Sequence, residues 1–302
     1  ATVLATGCGS GIWPSASERQ RGDGFSLALR AGAELVDMEF IQYHPTHAWW
    51  PFGVRGSVSE SFRSEGGHLL NSEGERFMAR YDPEKMELAT RDKVSVCIYK
   101  EIRAGRGAPH GGIYASVSHL PPGQVEERLR VIFRKYLRYG YDIRRQPIEV
   151  RPRPHYSNGG VKINERCETR VPGLYAAGAV TGGVHGANRL GSNALVDILV
   201  FGEIAGRNAA ERARVRGPVP VDAGQLASEE ERIADLVGGP GRDLTVPGLR
   251  RSHIELMDAC MGVIRDEEGM KRALDAIIRA RERDLPRLRV ADPSRVYNYE
   301  LR

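Results

Sequence analysis

Short apolar runs alternate along this chain with longer segments of helical periodicity, a pattern typical of mixed α/β proteins. Residues 2–7 and 173–178 are apolar and end in glycine, which predicts two strands followed by turns. Residues 67–78 alternate around a turn and predict a hairpin. Apolar spacing predicts helices over about 25–31, 87–103, 126–139, 192–211, 229–236, 249–263 and 268–283. Ser228 is the predicted N-cap of the helix at 229–236.

Changes in this pattern divide the chain into four segments. Residues 1–40 and 153–212 each combine a strand, a glycine-containing turn and a helix. Residues 41–152 form an α+β segment inserted between them, and residues 222–302 form a helical segment after a proline-containing linker at 218–220. The fold class predicted from this order is α/β locally and α+β overall.

Composition narrows the class of protein only slightly. The chain has 302 residues, of which 41% are hydrophobic and 27% charged, as in an ordinary globular protein with room for two domains. No apolar run approaches the roughly 20 residues that span a bilayer. The first 11 residues lack the basic start of a signal peptide. We therefore expect a cytoplasmic protein, or one that is peripheral on the cytoplasmic face of a membrane.

The four cysteines are far apart in the sequence. They are Cys8, Cys97, Cys167 and Cys260. None has C-x-x-C spacing, so the sequence predicts neither a zinc site nor an iron–sulfur cluster in this chain. We expect buried thiols and no metal site.

The net charge of +5 is concentrated in residues 128–153, where nine arginine and lysine side chains occur. An amphipathic period over residues 126–139 predicts that these charges form the solvated face of a helix. The apolar positions of that helix are Val131, Ile132, Tyr136 and Leu137. No recognised nucleic-acid motif accompanies the charge, so nucleic-acid binding is not expected. A dianionic substrate or an acidic partner would still be attracted.

The segment at residues 185–195 is the most informative part of the sequence. It follows the apolar strand at 173–178, and its small residues allow close backbone approach while Arg189 lies above them. Such a strand-to-helix turn can hold a flat cofactor beneath a carboxylate substrate, because backbone N–H groups of the helix face the ligand.

Other polar motifs precede this turn along the chain. They are His44-Pro45-Thr46, Ser59-Glu60, Arg63, Arg91-Asp92 and His155-Tyr156. Each has a structural alternative when taken alone: a surface ion pair for Arg91, a turn donor for His44, and a core pair for His155. His185 could equally cap its turn. Their joint occurrence in this order favours a functional interpretation.

Taken together, these motifs resemble the flavoprotein subunit of succinate dehydrogenase and fumarate reductase, in an FAD-dependent superfamily that includes L-aspartate oxidase. The resemblance covers nearly the whole chain. It implies a partial Rossmann-like FAD-binding domain at 1–40 and 153–212, a capping domain at 41–152 and a C-terminal helical domain at 222–302. The family's Gly-x-Gly-x-x-Gly turn has no counterpart here, and residues 2–7 resemble a late strand of its flavin domain. We therefore expect an internal piece of a longer flavoprotein.

The resemblance also implies roles for individual residues. Reduction of a carbon–carbon double bond conjugated to carboxylates needs a hydride at one carbon and a proton at the other. Arg91 matches the family's proton donor. A guanidinium is a poor acid, with a pKa above about 12, so it needs a dry site and a relay. Glu60 and Arg63 match that relay, and the matching substrate-binding residues are His44, Ser59, His155 and Arg189.

The implied cofactor is FAD. The positions that match the family's cofactor site are Thr6, Gly7, Asp23, Gly178, Ala179, Asn193, Ala194 and Leu195. The backbone N–H groups of Ala194 and Leu195 are expected to face the flavin. Two positions depart from the family pattern: Ala179 stands where many members have glutamate, and Ala194 where several have serine. The first departure removes a polar contact to FAD, whereas the second leaves the backbone donors in place.

These matches predict a flavin-dependent oxidoreductase that interconverts succinate and fumarate by hydride transfer with FAD and proton transfer through arginine. Two alternatives stay open: an L-aspartate oxidase, or a non-catalytic fragment that cannot hold FAD by itself. The expected partners are a dicarboxylate substrate and an iron–sulfur electron-transfer subunit. Membrane association would then occur only through partner subunits.

Overall fold

The computed structural model describes residues 1–12, 21–54, 56–238, 243–292, 294, 297–298 and 300. The chain divides into two compact units, residues 1–209 and 210–302. In the described part of the chain, no helix combines the length and the apolar character needed to cross a membrane.

The strands are β1 (Thr2–Leu4), β2 (Leu35–Val36), β3 (Ile41–Trp50), β4 (His68–Leu70), β5 (Ile113–Ser116), β6 (Ile148–Ser157), β7 (Gly160–Val161), β8 (Leu174–Ala176), β9 (Leu244–Thr245) and β10 (Leu288–Arg289). The helices are α1 (Asp23–Arg30), α2 (Glu60–Ser64), α3 (Met78–Tyr81), α4 (Arg91–Arg103), α5 (Pro122–Arg128), α6 (Arg130–Leu137), α7 (Asn193–Arg216), α8 (Ala223–Gly238), α9 (Val246–Cys260) and α10 (Glu267–Arg279).

The α/β part of the first unit is built on two small sheets. β1 pairs in parallel with β8, with Leu4 opposite Ala176, and β2 pairs antiparallel with β7. Phe25 and Ala28 of α1 pack with Leu4 and Ala176 in one buried cluster. The strands predicted within residues 2–7 and 173–178 are thus confirmed, and the parallel pairing brings their carboxyl ends to one edge.

The inserted part of the first unit is an antiparallel sheet in the order β3-β6-β5-β4. Its core contains the fully buried side chains of Phe62, Leu69, Ile98 and Ile148. β6 continues through Pro152 and Pro154 to Ser157, so the predicted domain boundary at residue 152 falls inside a strand.

The predicted hairpin at residues 67–78 is wrong. Only β4 is a strand there, and its partner is β5, with Leu69 opposite Ala115. Asn71 explains the difference, because its Oδ1 accepts hydrogen bonds from the backbone N–H groups of Glu73 and Glu75. Those bonds hold the chain in a turn, and the apolar residues that follow enter helix α3.

Two helix predictions need correction in this unit. The helix predicted over 87–103 begins only at Arg91, and Leu88 lies in a preceding 3₁₀ turn where it is 63% exposed. The helix predicted over 126–139 is two helices, because Leu129 leaves helical geometry between α5 and α6. Ile132 and Tyr136 are buried as predicted, but the other two apolar positions of that helix, Val131 and Leu137, are exposed.

The basic stretch at 128–153 is only in part a solvated face. Arg128, Arg130 and Arg134 are exposed, as expected. Arg153 is buried, and its guanidinium carbon lies 4.5 Å from the ring centroid of Trp49. β6 carries this arginine inward, so strand geometry decides its burial.

Residues 210–302 contain helices whose N-termini are capped by side chains. α8 begins at Ala223, where the Asp222 carboxylate accepts from two backbone N–H groups, so the predicted start and the Ser228 cap are wrong. Thr245 caps α9, and Asp266 caps α10. α9 ends at Cys260, a few residues before its predicted end, whereas α10 ends at Arg279 and continues as a π-helix over Ala280–Asp284, so helical structure reaches the predicted end at residue 283. The linker at 218–220 is confirmed, and α7 extends to Arg216.

Candidate functional site

The predicted catalytic and substrate-binding residues come from five parts of the first unit. Ser59 precedes α2, Glu60 and Arg63 belong to α2, Arg91 is the first residue of α4, His44 lies in β3, His155 lies in β6, and Arg189 lies in the segment before α7. Antiparallel pairing of β3 with β6 puts the two histidines on adjacent strands.

Arg91, Glu60 and Arg63 form a continuous chain of charged groups. Arg91 Nε donates to Glu60 Oε1 at 2.7 Å, and Arg63 Nη2 lies 3.5 Å from the same oxygen. Arg63 also donates from Nη1 to the backbone carbonyl of Glu87 at 2.6 Å. The bond from Arg91 lowers the pKa of Glu60, and burial lowers the pKa of Arg63. At neutral pH Glu60 is therefore a carboxylate between two guanidinium groups.

Gln42 links this chain of charged groups to Arg189. Its Oε1 accepts from Arg91 Nη1 at 3.0 Å and from Arg189 Nη2 at 3.1 Å. Its Nε2 donates to Asn188 Oδ1 at 2.7 Å and to the Arg189 carbonyl at 2.6 Å. Sequence reasoning missed this residue. The available signal was its spacing, because Gln42 lies two positions before His44 and residues two apart in a strand share a face.

The two histidine rings lie next to each other. The centroids of His44 and His155 are 5.5 Å apart, and the rings meet edge to face. Burial lowers the pKa of His44 well below its usual value, and burial lowers the pKa of His155 to about 4. Both Nδ1 atoms are buried and have no hydrogen-bond partner among the described residues. Both rings are thus neutral at pH 7, and each has one buried ring nitrogen that no described side chain satisfies.

Arg189 is held against an aromatic ring. Its guanidinium carbon lies 4.6 Å from the Tyr156 centroid, and Nη1 donates to the Leu190 carbonyl at 3.1 Å. Tyr156 meets the His185 ring edge to face, and His185 Nε2 lies 3.4 Å from Asp197 Oδ2. His185 therefore packs against the Tyr156 ring that lies beneath Arg189. This contact differs from the alternative role given to His185 in the sequence analysis, that of capping its turn.

A cavity of about 280 Å³ adjoins these groups. Its lining includes four of the predicted residues, namely Glu60, Arg63, Arg91 and Arg189. His44, His155 and Ser59 do not line it. The Ser59 hydroxyl is hydrogen-bonded to the hydroxyl of Ser61 instead. The cavity is thus lined by three guanidinium groups and one carboxylate. The resulting excess of positive charge suits an anionic ligand.

The predicted cofactor residues at the strand ends also come together. Gly7 follows β1 with φ of 80°, and Gly178 follows β8 with φ of 75°. A Cβ on Gly24 would lie 1.9 Å from Thr6 Oγ1, so the turn that carries Asp23 packs directly on Thr6. Because β1 and β8 are parallel, both glycine turns lie at their carboxyl ends, where α/β sheets bind ligands.

The start of α7 completes this candidate cofactor site. The Leu195 N–H, which was predicted to face the flavin, donates instead to the Ser192 carbonyl at 2.9 Å. The Ala194 N–H belongs to the first turn, where a helix supplies no partner for backbone N–H groups. Leu195 is 64% exposed and Leu199 73%, which gives this end of the helix an apolar surface. Ala179 is half-buried after Gly178 and offers no side-chain polar atom. Backbone donors beside apolar surface fit a flavin.

The described residues offer no metal centre beside this site. They hold no group of three or more His, Cys, Asp or Glu side chains that could bind a metal ion. All four cysteines are buried, which confirms the prediction of buried thiols.

Two family models match the chain. The FAD binding domain matches residues 4–195, and the C-terminal domain of the fumarate reductase flavoprotein matches residues 250–302.

Curated relatives agree with these matches. A polypeptide of the CoM/CoB fumarate reductase of Methanothermobacter marburgensis is 46% identical over 281 residues, which cover 91% of this chain and 50% of the relative. The fumarate reductase flavoprotein subunit of Escherichia coli is 38% identical, and the match covers 93% of this chain and 49% of the relative. This chain therefore spans about half the length of the curated relatives it matches.

A solved structure shares the fold. A chain of Escherichia coli quinol fumarate reductase superposes with a TM-score of 0.91 at 37% identity, over 100% of this chain and 54% of that one.

Proposed function

The chain belongs to the FAD-binding family of fumarate reductase and succinate dehydrogenase flavoprotein subunits, and on that premise we propose that it carries the site where succinate and fumarate are interconverted. The observation that carries the proposal is the linked group Arg91–Glu60–Arg63 beside Arg189, at one cavity. Proton delivery and anion binding are the two tasks that reduction of fumarate requires of the protein.

FAD is the cofactor of this family, and the residues that would hold it are Thr6, Gly7, Asp23, Gly178, Ala179, Asn193, Ala194 and Leu195. The chemistry that FAD supplies when bound is hydride transfer to or from a substrate carbon. The parallel pairing of β1 with β8 supports this assignment, because it aligns two of the turns that carry these residues.

The protein's first task is to bind a dianion. Arg189 is buried, and its guanidinium group can bind a carboxylate by donating two hydrogen bonds. Neutral His44 and His155 supply N–H donors without adding a charge that would need its own counterion. The Ser59 hydroxyl would have to turn away from Ser61 to join them.

The second task is to hold and move a proton. Arg91 donates from Nε to Glu60 and from Nη1 to Gln42. We therefore propose that the remaining nitrogen, Nη2, donates the proton to the substrate. After transfer, Glu60 would take a proton from Arg63 across the 3.5 Å contact and pass it to the deprotonated Arg91, and solvent would reprotonate Arg63. The lowered pKa of Glu60 supports this order, since the proton rests on arginine between turnovers.

The test is to measure fumarate reduction by the FAD-loaded holoenzyme and two variants. Arg91→Lys is expected to cut kcat far more than it raises KM, whereas Arg189→Ala also weakens substrate binding. Arg130→Lys is the matched control, because Arg130 is exposed on α6. Equal losses confined to KM in both site variants would refute the assigned roles.

The same preparation separates the alternatives. Iminoaspartate and peroxide formed from aspartate, without succinate formed from fumarate, would identify an L-aspartate oxidase instead. Loss of flavin absorbance once free FAD is removed would identify a protein that cannot hold the cofactor by itself.

We also propose that the partner is an iron–sulfur electron-transfer subunit, since the relatives are named as flavoprotein subunits. Co-purification of such a subunit from the native source supports this partner. Isolation of an active enzyme without one would refute it.

A further inference from the structure

We infer that Gln42 is the positioning residue of this site: its one carboxamide oxygen fixes the proton-donating Arg91 relative to the substrate-binding Arg189. The inference rests on the proposed function and extends it to a residue to which neither the family match nor the sequence motifs gave a role. Gln42 is 4% exposed and makes four hydrogen bonds.

The orientation of this amide is determined by its partners. Guanidinium groups only donate, so the atom that faces Arg91 and Arg189 must be the oxygen. The Arg189 carbonyl only accepts, so the atom that faces it must be the NH₂ group. Flipping the amide would break these contacts at once, and Gln42 therefore has one orientation.

The same contacts close a ring of side chains. Gln42 donates to Asn188, and Asn188 Nδ2 donates to Asp92 Oδ1 at 2.7 Å in the first turn of α4. Arg91, in that same turn, bonds back to Gln42. The ring thus ties β3, α4 and the segment before α7 together, and a shift of any one would separate the two arginines.

Neutrality is the second property that Gln42 contributes. Arg91 and Arg189 repel one another, and this repulsion is one of the causes, after burial, that lower the pKa of Arg189. A carboxylate here would bind both guanidinium groups and compete with a substrate carboxylate. An amide oxygen holds them in place and leaves both charges available to the substrate.

Two substitutions separate these properties in the FAD-loaded holoenzyme. Gln42→Met keeps the volume and removes every bond, so we expect kcat to fall roughly tenfold or more, as for loss of a charge-assisted bond. Gln42→Glu keeps an acceptor for both arginines but adds a charge, so we expect its main effect to be a rise of roughly tenfold or more in KM and in the Kd of malonate, a non-reacting dicarboxylate. Gln124→Met is the control, because Gln124 on α5 donates to the Glu65 carbonyl and not to any group that Gln42 holds.

Retained flavin absorbance and thermal unfolding establish that each variant is folded. A purely structural role predicts that Gln42→Glu keeps kcat, KM and the Kd of malonate close to those of the unmodified holoenzyme, and that result would overturn the inference. Values of kcat, KM and Kd within twofold of the Gln124→Met control would overturn it too. If the unmodified holoenzyme neither reduces fumarate nor binds malonate, the proposed function fails first and this inference fails with it.

Discussion

Replacement of Glu101 by glutamine should destabilise the inserted sheet region in a way that depends on pH. Glu101 lies on α4 with a fully buried side chain, and its carboxylate accepts hydrogen bonds from Arg80, Arg106, Tyr81 and Asn71. These bonds, led by the one from Arg106, lower the pKa of Glu101 to about 2. A lowering from 4.5 to about 2 corresponds to about 3 kcal/mol of stability at neutral pH.

The sign of the effect follows from linkage. A carboxylate whose pKa is lower in the folded state contributes its full stability above pH 4.5 and loses it as the pH falls toward 2. Glu101→Gln should therefore cost about 3 kcal/mol at pH 7 and clearly less at pH 3. Urea unfolding followed by tryptophan fluorescence measures this cost, since Trp49 and Trp50 lie in β3 of the same sheet.

Glu127→Gln is the control for that experiment, because Glu127 is exposed on α5 and should change stability by no more than about 0.5 kcal/mol. A Glu101→Gln cost equal to that of the control would refute the argument. So would a cost that is the same at pH 3 and pH 7.

Three further predictions concern single residues. Glu60→Gln should lower kcat by roughly 10²- to 10⁴-fold, because it breaks the proton relay. The free energy of unfolding should barely change, because Glu60 is half exposed. Turnover and urea unfolding measure the two effects, and an unchanged kcat would contradict the relay. Gly178→Ala should lower the stability of the protein by about 1–2 kcal/mol and weaken FAD retention, since φ at Gly178 is 75°. Gly123→Ala should instead stabilise the protein, because Gly123 lies within helix α5. Thermal unfolding compares the two variants, and equal effects would contradict the argument. Burial lowers the pKa of His47 to about 4, so the stability of the protein should fall as the pH drops from 6.5 toward 4. In His47→Gln this loss of stability should be smaller. Urea unfolding at several pH values across this range measures the difference.

The sequence was sufficient for elements that depend on local pattern. The strands within residues 2–7 and 173–178 were predictable because each is a short apolar run that ends in glycine. The long helix α7 was predictable from its start near residue 192. Their partners were not predictable, since β1 and β8 pair across about 170 residues of intervening chain and periodicity carries no information about pairing.

The errors arose where a side chain overrides the hydrophobic pattern. Asn71 bonds its own neighbours and turns an apparent hairpin into a turn and a helix. Asp222 starts α8 before its periodic residues begin. Gln42 was overlooked because a glutamine has no chemical signature in sequence, and only the side chains of two distant arginines give it a role.

The most direct test of the central claim is a single-turnover measurement. The flavin of the FAD-loaded holoenzyme is reduced, mixed with fumarate, and followed by absorbance while succinate is quantified. We predict reoxidation with one succinate formed per flavin, and much slower reoxidation in Arg91→Lys at saturating fumarate. A flavin that stays reduced in the presence of fumarate, or that reoxidises equally fast in Arg91→Lys, would contradict the proposed site.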